Sequence, residues 1–380
     1  MDAAVVILNW NTRDFLRAFL PPLLESLPAG TEALVADNGS TDGSQELLSA
    51  EFPGVRTILL DRNYGFTGGY NRAIGQLLSG EDAPRYVLLL NSDILVRKGW
   101  LEPLLGWMDA HPGCGACAPK LHALDPDGKG GYIPTDRFEY AGAAGGFLDR
   151  YGYPYCRGRV LKRTEPDRGQ YDSPAPVLWV SGACLMVRSC VWQALGGLDD
   201  RFFAHMEEID FCWRMQLAGW SVAVVPESAV WHLGGGSLPK DSPWKLQRNY
   251  CNNLLMLAGN LEPTFRARGA GCPRLKARVR LSVRMGLDLV AGAVYLLHGQ
   301  SSFFAAMVRG HREYRRLRSL PGPEGRPAAP GQHAGSLNTP ASAVTPNAVP
   351  GFTDARVLLL SYLKGRGIFR HLENRGFFGQ

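Results

Sequence analysis

The feature that most constrains this chain is a repeated strand ending. Four short apolar runs in the first hundred residues each close on Asn or Asp. They are "AVVILNW" (4–10) with Asn9 and then Asn11, "EALVADN" (32–38) with Asp37, "VRTILLD" (55–61) with Asp61 and then Asn63, and "RYVLLLNSD" (85–93) with Asn91 and Asp93. Between them, "RDFLRAFLPPLLESL" has helical spacing and "FTGGYNRAIGQLLSG" reads as a loop opening a helix. Near-continuous apolar strands alternating with helices predict an α/β fold with a mostly parallel central sheet covered on both faces. Ligands of such sheets bind beyond the carboxyl ends of the strands. One Asn or Asp after a strand is an ordinary turn former or helix cap. Four such clusters on one edge predict a polar ligand cleft. The phosphate loop G-x-x-x-x-G-K-[ST] is absent and no G-x-G-x-x-G follows the first strand, which excludes an ordinary kinase or dehydrogenase cleft.

With 380 residues, 45% hydrophobic and 20% charged, the chain has a globular composition and length for one large domain or two smaller ones. "MDAAVVILNW" reads as a first strand, with neither the basic start nor the cleavage site of a signal peptide. "LDLVAGAVYLLHG" (287–299) is too short to span a bilayer and carries Asp288 and His298, so no membrane span is expected. Cys114 and Cys117 form a C-x-x-C with no partner motif. They are expected to be buried free thiols, and all eight cysteines to be reduced, as in the cytoplasm.

Beyond the alternating half, residues 123–176 are rich in Gly, Pro, Tyr and Asp and predict loops or short antiparallel strands on the cleft rim. Regular elements return over 177–232. Residues 241–320 read as helical and basic, 321–351 as a Pro/Ala-rich linker and 352–380 as a basic apolar tail. Lys240 to Arg318 holds 15 Lys or Arg against four acids, +11 in a chain of net +6. That face is either solvated or held against anionic lipid headgroups. Nucleic-acid binding is not expected, because the basic residues belong to no recognised module.

"FFAHMEEIDFCWR" (202–214) sets Glu207, Glu208 and Asp210 among apolar residues. Carboxylates are rarely buried without a partner, so the cluster is a solvated helix edge, a metal site or a general base. On a helix from about residue 208, Asp210 and Arg214 lie one turn apart and can pair. Glu208 then shares a stripe with Phe211, Cys212 and Met215, where apolar surroundings raise its pKa towards that of a useful base.

Taken in order, "VVILNWN", "VADNGSTDGS", "DRNYGFTGGYNRAI", "LLLNSD", "VSGACLMVR", "LDDRFFAHMEEIDFCWRMQLAGW" and "AVWHLGGGS" resemble the inverting glycosyltransferases of family 2. The likeness is to their rhamnosyltransferase-like branch and covers roughly residues 3–260. It implies the Rossmann-like GT-A fold, a dTDP- or UDP-sugar donor, Mg²⁺ or Mn²⁺, and direct displacement at the anomeric carbon. The chain then divides into a catalytic domain over 1–240, with a nucleotide half (1–98) and an acceptor half (99–240), followed by the basic region, linker and tail.

Carried over by position, the resemblance implies that Asp93 and His232 hold the metal, with Asn91 and Ser92 of "NSD" beside them. Asn91 departs from the family's D-x-D pattern by losing one negative charge. Asp37 would receive the imide N–H of uracil or thymine, a charge-assisted hydrogen bond. Asn9, Asn11, Asn63, Gly65 and Asn71 would line the donor, and Ser181, Gly182 and Trp213 the acceptor. The family usually reads Glu-Asp-x-Asp where this chain has "EEID", which puts Glu208 at the general base, Asp210 as organiser and Glu207 beside them. The best match is transfer of L-rhamnose from dTDP-rhamnose to a lipid-linked or polysaccharide acceptor in bacterial surface-glycan synthesis. A nucleotidyltransferase would need a glycine-rich activating loop that "NWNTRDF" lacks. A non-catalytic glycan-binding relative could lose Asp93, Glu208 or His232, and all three are present.

Overall fold

The computed structural model describes residues 1–234, 242–325 and 351–378. The alternating half folds as the sequence predicts, as β1 (Ala3–Asn9), α1 (Arg13–Glu25), β2 (Thr31–Asp37), α2 (Ser44–Glu51), β3 (Arg56–Leu59), α3 (Gly65–Leu78) and β4 (Tyr86–Asn91). Next come β5 (Ile94–Leu95), α4 (Glu102–Ala110), β6 (Cys114–Pro126) and β7 (Tyr132–Phe138). The Gly/Pro-rich rim then builds a small antiparallel sheet from β8 (Gly146–Leu148), β9 (Pro154–Cys156), β10 (Arg159–Val160) and β11 (Arg163–Thr164). The main sheet is completed around β12 (Ala175–Pro176), β13 (Cys184–Arg188), α5 (Ser189–Ala194), α6 (Glu207–Leu217) and β14 (Ser221–His232). Helices α7 (Pro243–Ala267), α8 (Pro273–Leu297) and α9 (Ser301–Leu317) follow, and α10 (Val357–Lys364) and α11 (Ile368–Asn374) end the chain. Of the linker expected over 321–351, residues 326–350 lie outside the described residues.

The main sheet runs β12-β14-β6-β13-β4-β1-β2-β3, with β5 attached to β14 and β7 to β6. β4, β1, β2 and β3 are parallel neighbours, and β13 is antiparallel to both β4 and β6. Successive side chains of a strand point to opposite faces. In β1, Ala3, Val5 and Ile7 accordingly join a core with α1 and α4, while Ala4 and Val6 join another with α3, α6 and α7. Burial on both faces explains why these strands read as unbroken apolar runs.

The tail returns to the body. Phe352 packs 5.2 Å from the Trp213 ring, and the Tyr155 hydroxyl donates to the Phe377 carbonyl at 2.8 Å. All eight cysteines are free, Cys114 and Cys117 among the buried ones. Among the described residues, no helix is long and apolar enough to cross a membrane.

Candidate active site

Parallel pairing brings the polar strand ends to one edge: Asn9 stands opposite Asp37, and Leu8 opposite Asn91. Asp37 is wholly buried and already engaged. It accepts from Asn9 Nδ2 at 2.8 Å, from the Ser40 backbone N–H at 3.0 Å and from Gln45 Nε2 at 2.8 Å. Asn11, at φ 53°, accepts from the Thr41 N–H at 2.8 Å, and its own N–H donates to Ser40 Oγ at 3.0 Å. Thr12 donates to Asn9 Oδ1 at 2.6 Å and lies 2.9 Å from Ser92 Oγ. The edge is a preformed hydrogen-bond network with Asp37 at its hub. Trp10, 41% exposed, follows Asn9 at the end of β1.

Pairing of β5 with β14 places His232 opposite Ile94 and so beside Asp93. His232 Nε2 lies 3.2 Å from Asp93 Oδ1 and 3.5 Å from Asn91 Nδ2, and its Nδ1 lies 3.4 Å from Glu139 Oε2. All three ionisable groups are buried. Burial alone would pull the imidazole down, but Asp93 and Glu139 together push its pKa up to about 10. Burial works against the Asp93 carboxylate too, yet His232 holds it below its usual range. Glu139 was not legible in the sequence: it lies in the aperiodic rim, and no spacing rule connects "FEYAG" to "VWH".

The base-side residues reach the same place through β13. Asn91 N–H donates to the Ala183 carbonyl at 2.9 Å, so "SGA" sits against the "NSD" strand end. A Cβ on Gly182 would meet Phe66 Cζ at 3.2 Å and Glu208 Cβ at 3.5 Å. Ser181 is buried and accepts from the Ala183 N–H at 3.2 Å. Gly182 therefore joins the Asp93 side of the cleft to the Glu208 side.

Glu207 starts α6, with Glu208 next in its first turn, after a segment with left-handed backbone at Phe203 (φ 63°), His205 (φ 72°) and Met206 (φ 73°). Such conformations cost roughly 1–3 kcal/mol each for non-glycine residues and persist only where the surroundings impose them. Here Asn252 Nδ2 lies 2.8–3.0 Å from the carbonyls of Phe202, Ala204 and His205. The Phe203 carbonyl accepts from Phe66 N–H at 2.7 Å. Gly65 permits this approach, since at φ 73° a Cβ there would lie 2.5 Å from the Phe203 ring.

Glu207 is 4% exposed, and both glutamates keep one buried oxygen, Oε2, without a hydrogen-bond partner. Burial pushes Glu208 up to about 7, and burial with the neighbouring Glu208 raises Glu207 well above the usual carboxylate range. Arg159 opposes the rise at Glu208. That guanidinium is itself buried over the Tyr140 ring at 4.9 Å, with its Nε unpartnered. Asp210 is wholly buried and accepts from Arg214 Nε at 2.8 Å and from Asn260 Nδ2 at 2.7 Å.

Three assignments change. Trp213 is wholly buried, donates to Thr264 Oγ1 at 2.8 Å and packs on Phe352, so it offers no face to an acceptor. Asn71 donates to Leu198 O at 2.8 Å and Asp200 Oδ1 at 2.7 Å and accepts from Leu198 N–H at 2.9 Å, which ties α3 to the segment before α6. Asn63 accepts from Gly65 N–H at 2.7 Å and from Asn38 Nδ2 at 3.1 Å, shaping the start of α3.

A mixed α/β sheet with polar residues gathered at the carboxyl ends of its parallel strands is the organisation of a GT-A fold. Residues 4–144 match the family model for glycosyl transferase family 2. The chain is 30% identical over 309 residues to the N-acetylglucosaminyl-diphospho-decaprenol L-rhamnosyltransferase of Mycobacterium tuberculosis, covering 76% of this chain and 97% of that one. It is 28% identical over 235 residues to the pre-mycofactocin glycosyltransferase of the same organism, 61% of this chain and 42% of that one. Among solved structures, a GalNAc-T7 complex with UDP, GalNAc and Mn²⁺ superposes with a TM-score of 0.52 at 16% identity, over 71% of this chain and 50% of that one. The chain belongs to glycosyltransferase family 2 and is a glycosyltransferase.

Proposed function

We propose that this enzyme transfers L-rhamnose, with inversion, from dTDP-rhamnose to a lipid-linked diphosphate sugar during bacterial surface-glycan synthesis on the cytoplasmic side. The observation that supports the reading is the short path from Asn91, whose N–H donates to the Ala183 carbonyl, to Gly182, where a Cβ would lie 3.5 Å from Cβ of Glu208, a carboxyl of raised pKa. The choice of sugar and acceptor rests on likeness to the mycobacterial rhamnosyltransferase over nearly all of that protein's length.

Glu208 takes the proton of the acceptor hydroxyl as that oxygen attacks the anomeric carbon, opposite the leaving diphosphate. Glu207 is a neighbouring hydrogen-bonding group beside it, and Asp210 fixes the helix that carries both acids. Asn11 meets the base or ribose at the edge that the buried Asp37–Asn9 pair holds in shape, and Asp37 would accept the imide N–H only where a bound base displaces one of its present donors.

Asp93 and His232 fit a divalent metal, Mg²⁺ or Mn²⁺. They form a buried carboxylate–imidazole pair whose ring contacts Glu139 at 3.4 Å on its other nitrogen, as metal-bound histidines are commonly supported. Two protein ligands are few, and among the described residues no three acids, histidines or cysteines are placed to hold a metal ion together. Few protein ligands suit an ion shared with donor phosphates and water. When bound, it neutralises charge on the leaving diphosphate. With Asn91 in place of a second acid, Asp93 would be the one carboxylate of this strand end to hold the ion.

The test is a panel of nucleotide sugars with a prenyl-diphosphate N-acetylglucosamine acceptor. Acceptor-dependent dTDP release from dTDP-rhamnose is the expected result. Release of pyrophosphate identifies a nucleotidyltransferase, and no release from any donor a non-catalytic binder.

A further inference from the structure

Helix α8 is inverted with respect to water. Its inward face carries Arg284 and Asp288, both buried, with Arg284 Nε donating to Asp288 Oδ1 at 3.1 Å. Arg284 also donates to Asn253 Oδ1 on α7 at 2.7 Å, and His311 Nε2 of α9 lies 3.1 Å from Asp288 Oδ2. The outward face is apolar. Leu275, Val279, Val283, Val290, Val294 and Leu297 are 43–85% exposed and recur at intervals of three, four or seven residues along one side. A stripe of this length on a water-facing helix exceeds what single exposed apolar residues account for.

We propose that this face docks the enzyme onto an anionic lipid bilayer, with α8 lying in the interface plane. Charge selects the occupant. Arg274, Lys276 and Arg278 are exposed and border the stripe, and the next helix adds exposed Arg309, Arg312, Arg315, Arg316 and Arg318. Apolar residues flanked by bases suit a headgroup layer of negative charge. A second copy of the chain meeting this face by two-fold symmetry would set bases against bases. Crossing the bilayer is not the mode, since no described helix is long and apolar enough. The inference stands on the surface of α8 and does not depend on the sugar transferred.

Flotation of the full chain with vesicles tests it. Phosphatidylcholine vesicles containing about a third phosphatidylglycerol bind the protein, and binding weakens as salt rises. A triple variant, Val279→Ser with Val290→Ser and Val294→Ser, alters only exposed side chains, keeps the wild-type melting temperature and loses roughly tenfold or more in partitioning. Neutralising Arg274, Lys276 and Arg278 to Gln produces a loss of similar size on the anionic vesicles only. Three results overturn the proposal: a wild-type chain that does not float with anionic vesicles, a chain that binds pure phosphatidylcholine equally well, or a triple serine variant that floats like wild type. A wild-type dimer converted to monomer by the serine substitutions would overturn it in favour of a second copy.

Discussion

Arg214 donates to Asp210 at 2.8 Å with both side chains sealed from solvent, one helical turn apart in α6. The same guanidinium reaches the carbonyls of Leu195 and Gly197 at 2.8 Å each, and Asn260 of α7 closes on the other Asp210 oxygen. Asp210 is therefore the anchor that orients the start of α6. Removing one member of such a buried pair leaves the other uncompensated, at a cost of about 3–5 kcal/mol. Asp210→Ala is expected to lower the free energy of unfolding measured by urea titration by that much, and Asn260→Ala by less. An Asp210→Ala protein as stable as wild type would remove the anchoring role.

Glu208→Gln keeps the shape and removes the carboxylate proposed as the base. Transfer should fall by roughly 10²–10⁴-fold, the usual contribution of a general base, while dTDP binding measured by calorimetry stays near wild type. Glu207→Gln is expected to be milder. If it is the more severe variant, the base lies one residue earlier in the chain.

How far the sequence reaches follows from where periodicity exists. Asn9, Asp37, Asn91 and Asp93 were legible because parallel strands deliver their ends to one edge whatever the details of packing. The Asp210–Arg214 pair was legible because it is local to one helix. Glu139 and Arg159 come from the irregular rim, where no period connects a residue to its neighbours in space. Asn252, Asn253 and Asn260 did leave a signal: three asparagines on a stretch otherwise buried and apolar, each with a job in the finished fold. Trp213 and Asn71 were misplaced for the opposite reason. Alternating polar and aromatic residues in α6 do not say which face meets the cleft, and an amide after a loop does not say which carbonyls it will find.

Metal binding should separate the ligands from their support. Asp93→Ala is expected to abolish Mn²⁺ binding followed by water-proton relaxation in the presence of dTDP. Glu139→Gln, which leaves both ligands in place, should weaken it by about 10–100-fold, the usual effect of losing the group behind a metal-bound histidine. Unchanged Mn²⁺ affinity in Asp93→Ala would move the metal elsewhere.

The acid pair also fixes two opposite pH trends. As a base, Glu208 must be ionised, so kcat/KM should rise with pH and level off above about 7, a midpoint that belongs to the interacting pair. Arg159→Gln removes the cation that favours the ionised form, so its midpoint should lie at higher pH. Stability runs the other way. An acid raised from 4.5 to about 7 binds more protons folded than unfolded between those values. Its contribution to stability is fully present below about 4.5 and is lost as pH rises through about 7. Urea midpoints measured at several pH values across that window should therefore fall with pH for the wild type and fall less for Glu208→Gln. Equal slopes in the two proteins would show that Glu208 is not the group being titrated.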